Sequence, residues 1–108
     1  MQRVHFCSGA VFETGDAIAD SVMGYARAVA TMHKHAVLVL PIRLPPEERG
    51  TVTLLLNETS QLSAQSVTTT RAELVDDDFV QHLDDLTTAL MAPPIWDEPT
   101  LDGASRPI

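Results

Sequence analysis

The chain has 108 residues, of which 44% are hydrophobic, and a formal net charge of −8. This length fits one domain with a modest core, and a single cysteine, Cys7, excludes an internal disulfide. The longest apolar stretch, Ala36 to Ile42, is far shorter than the ~20 residues that a membrane helix needs. The first residues also lack the apolar core of a secretory signal. We therefore expect a cytoplasmic protein that makes no membrane contact.

The net charge lies entirely in the last third of the chain. Residues 1–71 carry six acidic and six basic side chains, whereas residues 72–108 carry nine acidic side chains and Arg106. Affinity for nucleic-acid phosphates depends on clustered lysine and arginine, so we expect no nucleic-acid partner. An acidic end would instead attract a protein partner with a basic surface. The arginine-rich, alanine-rich composition is typical of a bacterial chain.

The first third of the chain predicts a hairpin and a helix. Two short β-prone runs, 3–7 and 10–13, are separated by Ser8-Gly9, which suits a tight turn. A helix is predicted from about Asp16 to His33, with Thr14 or Asp16 as its cap. Its apolar stripe recurs at intervals of four and three residues: Ile18, Val22, Tyr25, Val29 and Met32.

Two stronger strands follow, at 36–44 and 51–57, joined by a solvated loop at 45–50. The first of them is apolar on both faces, because Val37 and Val39 point away from Leu38 and Leu40. Helices on one side of a sheet would leave Val37 and Val39 uncovered, together with Leu55 on the second strand. These three residues are therefore candidate interface residues.

The last part of the chain predicts a strand, a helix and a tail. Residues 58–65 indicate a turn, and 67–71 a candidate edge strand. A helix is expected from about Asp77 to Met91, capped by Asp76. Its apolar stripe is Phe79, Leu83, Leu86 and Leu90. We divide the chain into a domain at 1–92 and a proline-containing acidic tail at 93–108.

Together these elements predict an α+β fold, with an antiparallel sheet of four to five strands and two helices packed on one face. The predicted order is strand-strand-helix-strand-strand-strand-helix. The tail contains Ile95 and Trp96 between prolines, and such a stiffened segment loses little entropy when it docks. Ile95 and Trp96 therefore join the candidate interface residues.

Chemically reactive residue types are present but form no familiar pattern. His5 and Cys7 lie two residues apart on a predicted strand, where an imidazole could activate the thiol, although a cysteine in such a place usually packs. The acids at 76–78 could attract a hard cation but are well explained by capping of the helix. His33 and His35 could ligate zinc, yet Lys34 lies between them. We expect no cofactor and no metal site.

The sequence therefore favours a non-catalytic protein-interaction or regulatory accessory module that forms a homodimer. Two alternatives stay open. One is a small enzyme that uses His5 and Cys7. The other is an acidic inhibitor that imitates DNA through the polar side of the last helix.

Overall fold

The computed structural model describes residues 1–7, 9–45, 48–69 and 72–92. The elements follow the predicted order and form one antiparallel sheet with two helices, which confirms the α+β prediction. They are β1 (Gln2–Phe6), β2 (Ala10–Thr14), α1 (Asp16–Thr31), β3 (Ala36–Leu44), β4 (Glu48–Leu56), β5 (Leu62–Ser66) and α2 (Asp77–Met91).

The sheet has the spatial order β4-β3-β2-β1-β5. β3 and β4 pair over nine positions, from Ala36 opposite Leu56 to Leu44 opposite Glu48. β1 pairs with β2 and with β5 over five positions each. Between these two groups of strands, β2 and β3 share only one registered pair, Glu13 with Arg43. The hydroxyl of Thr14 reinforces that junction by donating to the carbonyl of Pro41 at 2.8 Å.

Both helices pack on one face of the sheet. Alternation along each strand sends one set of side chains into this layer, among them Val4, Phe12, Leu40 and Leu56. The buried stripe of α1, with Ile18, Val22 and Val29, completes the core. α2 contributes one fully buried side chain, Leu83.

The stripe predicted for α2 is only partly buried. Leu83 is 1% exposed, and Phe79 and Leu90 pack half-buried against the core. Leu86 is 38% exposed, so this member of the predicted apolar stripe lies outside the core. The reason is that α2 lies at the side of α1 and presents only a narrow apolar surface to it.

The two helices begin differently. Asp76 caps α2 as predicted, because its carboxylate accepts from the backbone N–H of Phe79 at 3.1 Å. The predicted capping of α1 by Thr14 or Asp16 is wrong, since Gly15 is the N-cap and Thr14 is buried. The carboxylate of Glu73, which lies just before α2, accepts from the backbone N–H of Asp16 instead.

The fifth predicted strand is displaced. β5 covers Leu62–Ser66 and no strand includes 67–69, so the predicted bounds of 67–71 are wrong there, while residues 70–71 lie outside the described residues. β5 contains a single large apolar residue, Leu62, and its pairing with β1 makes it a strand.

The described parts of the connection between β5 and α2, residues 67–69 and 72–76, lie at one end of the sheet. The connection leaves the edge strand β5, where the N–H of Val67 donates to the carbonyl of Met1. The guanidinium of Arg43, on β3, donates to the carbonyl of Ala72 at 2.8 Å. Arg49, on the opposite edge strand β4, forms an ion pair with Asp76 at 2.6 Å. The connection is thus tied to both groups of strands and holds them together across the single β2–β3 pair.

Candidate functional site

The sheet face away from the helices carries an exposed apolar patch on β3 and β4. We call Val37, Val39 and Leu55 the β3–β4 patch. Val37 lies directly opposite Leu55 in the register, and Val39 is two residues further along β3. Their exposed fractions are 69%, 53% and 59%. A patch of adjacent large apolar side chains on a paired ribbon is the kind of surface that marks protein contacts.

The sequence predicted that these three side chains are uncovered, and they are exposed; their place in an interface stays a prediction. Alternation along β3 buries Leu38 and Leu40 under the helices and turns Val37 and Val39 the other way. The two remaining candidate interface residues, Ile95 and Trp96, lie outside the residues that the structure describes. Pro41, also on this face, is buried, so the patch ends there.

Polar and charged side chains lie beyond one end of the patch on the same face. Thr53 lies opposite Val39, and Thr51 opposite Pro41. Further along, the guanidinium of Arg3 pairs with the carboxylate of Glu13 at 3.3 Å. This arrangement of an apolar patch beside a polar border is typical of a protein–protein interface.

His5 and Cys7 border one shallow cavity of about 290 Å³, together with Gln61, Leu62 and Ser63. Cys7 does not continue the strand, because β1 ends at Phe6 and Cys7 has a positive φ of 46°. It is also exposed, so the expectation that it packs is wrong. The residues lining this cavity provide an amide and a hydroxyl but no carboxylate to orient the imidazole.

The candidate metal ligands are dispersed. Among the described residues, no group of three or more histidine, cysteine, aspartate or glutamate side chains could hold a metal ion. His33 is hydrogen-bonded through Nδ1 to Glu58 at 2.6 Å. Its backbone adopts a positive φ of 54° in the turn that ends α1, where the N–H of Lys34 donates to the carbonyl of Val29.

The ion pairs of the Met1 ammonium were not predicted from the sequence. The side chain of Met1 is fully buried, and its ammonium group contacts Glu73 at 2.8 Å and Asp16 at 2.9 Å. The hydrogen bonds that this ammonium donates to the carboxylates of Glu73 and then Asp16 raise its pKa above the ordinary value of 8.0. Glu73 thereby links β1, α1 and the connection that leads to α2.

A groove opens on the helical side, along the flank of α1 that faces away from α2. Its volume is about 430 Å³, and its lining is largely apolar: Met23, Ala26, Ala30 and Leu62, with Ser60 and the side chain of Arg27. Gly24 also lines it and leaves open space where a side chain would be. The groove exists because two helices do not cover all five strands, and the inner face of β5 stays exposed at Ala64 and Ser66.

Comparison with protein-family models, with curated proteins and with solved structures finds no match for this chain. Within the described part of the chain, neither helix is long and apolar enough to cross a membrane.

Proposed function

We propose that the chain is a non-catalytic protein-interaction module that self-associates into a homodimer through the β3–β4 patch. The observation that carries this proposal is the position of three large apolar side chains, each more than half exposed, side by side on the face opposite the helices. A symmetric contact would bury each patch against its copy.

The distribution of charge favours this geometry. The acids of α2 and of the segment before it, including Asp77, Asp78 and Asp85, lie on the helical side of the sheet. Contact through the opposite face keeps the acidic helices of the two protomers apart, with both sheets between them. A contact through the helices would bring like charges together instead.

The energies indicate a dimer of modest affinity. Complete burial of a valine or leucine side chain contributes about 1.5–3 kcal/mol, and more than half of each patch residue remains to be buried. Six such side chains, three from each protomer, contribute roughly 6–10 kcal/mol in total. Association costs about 4–15 kcal/mol in lost freedom and ordering. The net gain is therefore at most about 6 kcal/mol, which corresponds to a dissociation constant of tens of micromolar or weaker.

The two alternatives have less support. The cavity at His5 and Cys7 is shallow and offers no carboxylate among its lining residues. On the acidic helix, Asp84 accepts from the hydroxyl of Ser21 at 2.9 Å and Asp76 pairs with Arg49. Both carboxylates form contacts within the domain and so are engaged in the fold itself. This fits an ordinary solvent-exposed helix better than a surface that imitates DNA.

Sedimentation velocity over a micromolar to millimolar concentration series tests the proposal. The wild-type chain should move from its monomer mass of 11.7 kDa toward twice that mass as concentration rises. Val39→Lys should stay monomeric, because each protomer would bury an unpaired charge at the contact.

Val75→Lys is the matched control, since Val75 is exposed to 58% but lies on the connection to α2 and not on the patch. It should dimerise like the wild type. A wild-type mass of 11.7 kDa at the highest concentration, or an equal loss of dimer in both variants, would refute the proposal.

A further inference from the structure

We propose that the acidic tail of this chain docks in the groove beside α1, with Trp96 inserted between α1 and β5. This surface is separate from the β3–β4 patch, and the inference does not depend on self-association. It rests on where the described chain ends, on what lines the groove and on charge.

The direction of the helices sets where the tail starts. Glu73 contacts the backbone N–H of Asp16 at the start of α1, and further along Asp84 contacts Ser21. The two helices therefore run in the same direction. α2 ends at Met91, seven residues beyond Asp84, which brings its last turn level with the middle to last turns of α1. The groove lies along that same part of α1, at residues 23–30.

The tail has the length to reach the groove. Packed helices lie about 8–10 Å apart, and the groove is a further 5–6 Å away, on the far flank of α1. The four residues from Pro93 to Trp96 span up to about 13 Å when extended, and the indole side chain covers the rest. The apolar patch on the other face would require a path around the sheet, so the groove is the nearer apolar site.

The groove fits a tryptophan followed by acids. Met23, Ala26, Ala30 and Leu62 form apolar walls against which an aromatic ring can pack. The guanidinium of Arg27 at the groove has no ion-pair partner among the described residues, and neither does Lys34 just beyond the helix. Arg27 can lie on the indole ring or pair with the carboxylates of Asp97 and Glu98.

The charges of α2 and of the tail also favour docking in the groove. The exposed acids of α2 repel the tail, which carries Asp97, Glu98 and Asp102 against Arg106. Arg27, the one basic residue of α1, and Lys34 just beyond the helix attract it. Repulsion by α2 and attraction by the basic side chains near the groove therefore both favour docking of the tail beside α1.

Trp96 is the only tryptophan, so intrinsic fluorescence of the full-length chain reports on this site alone. In the wild type we expect emission at shorter wavelength than in urea, and several-fold weaker quenching by acrylamide. Ala30→Glu places a carboxylate in the groove and should restore the quenching seen in urea. Thr31→Glu is the matched control, because Thr31 is exposed and does not line the groove.

Arg27→Glu provides a second test at an exposed position, where folding is not at risk, and should also increase quenching. Val39→Lys should leave the fluorescence of Trp96 unchanged, which separates this inference from the proposed dimer. Wild-type quenching equal to that in urea would overturn the docking. Trp96 would lie elsewhere if it stayed protected from quenching in both groove variants, or if it were protected only at high protein concentration. Either result would also overturn the docking.

Discussion

The narrow contact between α2 and the rest of the fold makes a sharp prediction for two leucines of one stripe. Leu83 is 1% exposed and packs in the core, whereas Leu86, one turn further along α2, is 38% exposed. Leu83→Ala loses the transfer free energy of the side chain and leaves a cavity, so we expect a loss of about 2–5 kcal/mol. Leu86→Ala loses only part of that burial and forms no closed cavity, so about 1 kcal/mol is expected.

Urea denaturation followed by circular dichroism measures both changes. For a chain of this size each kcal/mol corresponds to a shift in Tm of roughly 4–8 °C, so a thermal scan resolves the two variants as well. Each variant is the control for the other, because the residue type, the helix and the substitution are the same. If the Leu83→Ala variant unfolds within ~0.5 kcal/mol of the wild type, or if the two variants cost the same, α2 does not pack as described.

Two further predictions concern the connection between β5 and α2. A Cβ at Gly15 would lie 1.8 Å from the carbonyl oxygen of Leu74, whereas one at Gly24 would meet nothing within 4 Å. In thermal denaturation, Gly15→Ala should therefore destabilise by about 1–3 kcal/mol and Gly24→Ala should stabilise by up to about 1 kcal/mol, and the reverse order would contradict the placement of the connection. Because the pKa of the Met1 ammonium is raised in the folded state, its ion pairs stabilise the fold below pH 8.0 and are lost as pH rises through the folded pKa. In the Glu73→Gln variant, the free energy of unfolding should fall less steeply at alkaline pH than in the wild type. Identical curves of stability against pH would show that the ion pair between Met1 and Glu73 contributes nothing.

The parts of the fold that follow from local rules could be predicted from the sequence. α2 was predicted from Asp77 to Met91, because its cap and apolar stripe are both encoded within fifteen residues. Val37 and Val39 were predicted on the uncovered face from the alternation of β3 alone.

The parts that depend on distant contacts could not be predicted. β5 has little β-propensity of its own and becomes a strand by pairing with β1. The start of α1 is satisfied by Glu73, 57 residues away, and no local pattern records such a partner. The groove beside α1 arises from how two helices cover five strands, and periodicity alone does not fix that coverage.

Intermolecular nuclear Overhauser effects show whether two copies of the chain meet at the β3–β4 patch. In a mixture of isotope-labelled and unlabelled chains at about millimolar concentration, where a dimer with a dissociation constant of tens of micromolar is well populated, only contacts between protomers are observed. We expect such effects from the methyl groups of Val37, Val39 and Leu55. Their absence in a sample that sediments as a dimer, or effects confined to residues of α1 and α2, would contradict self-association through the β3–β4 patch.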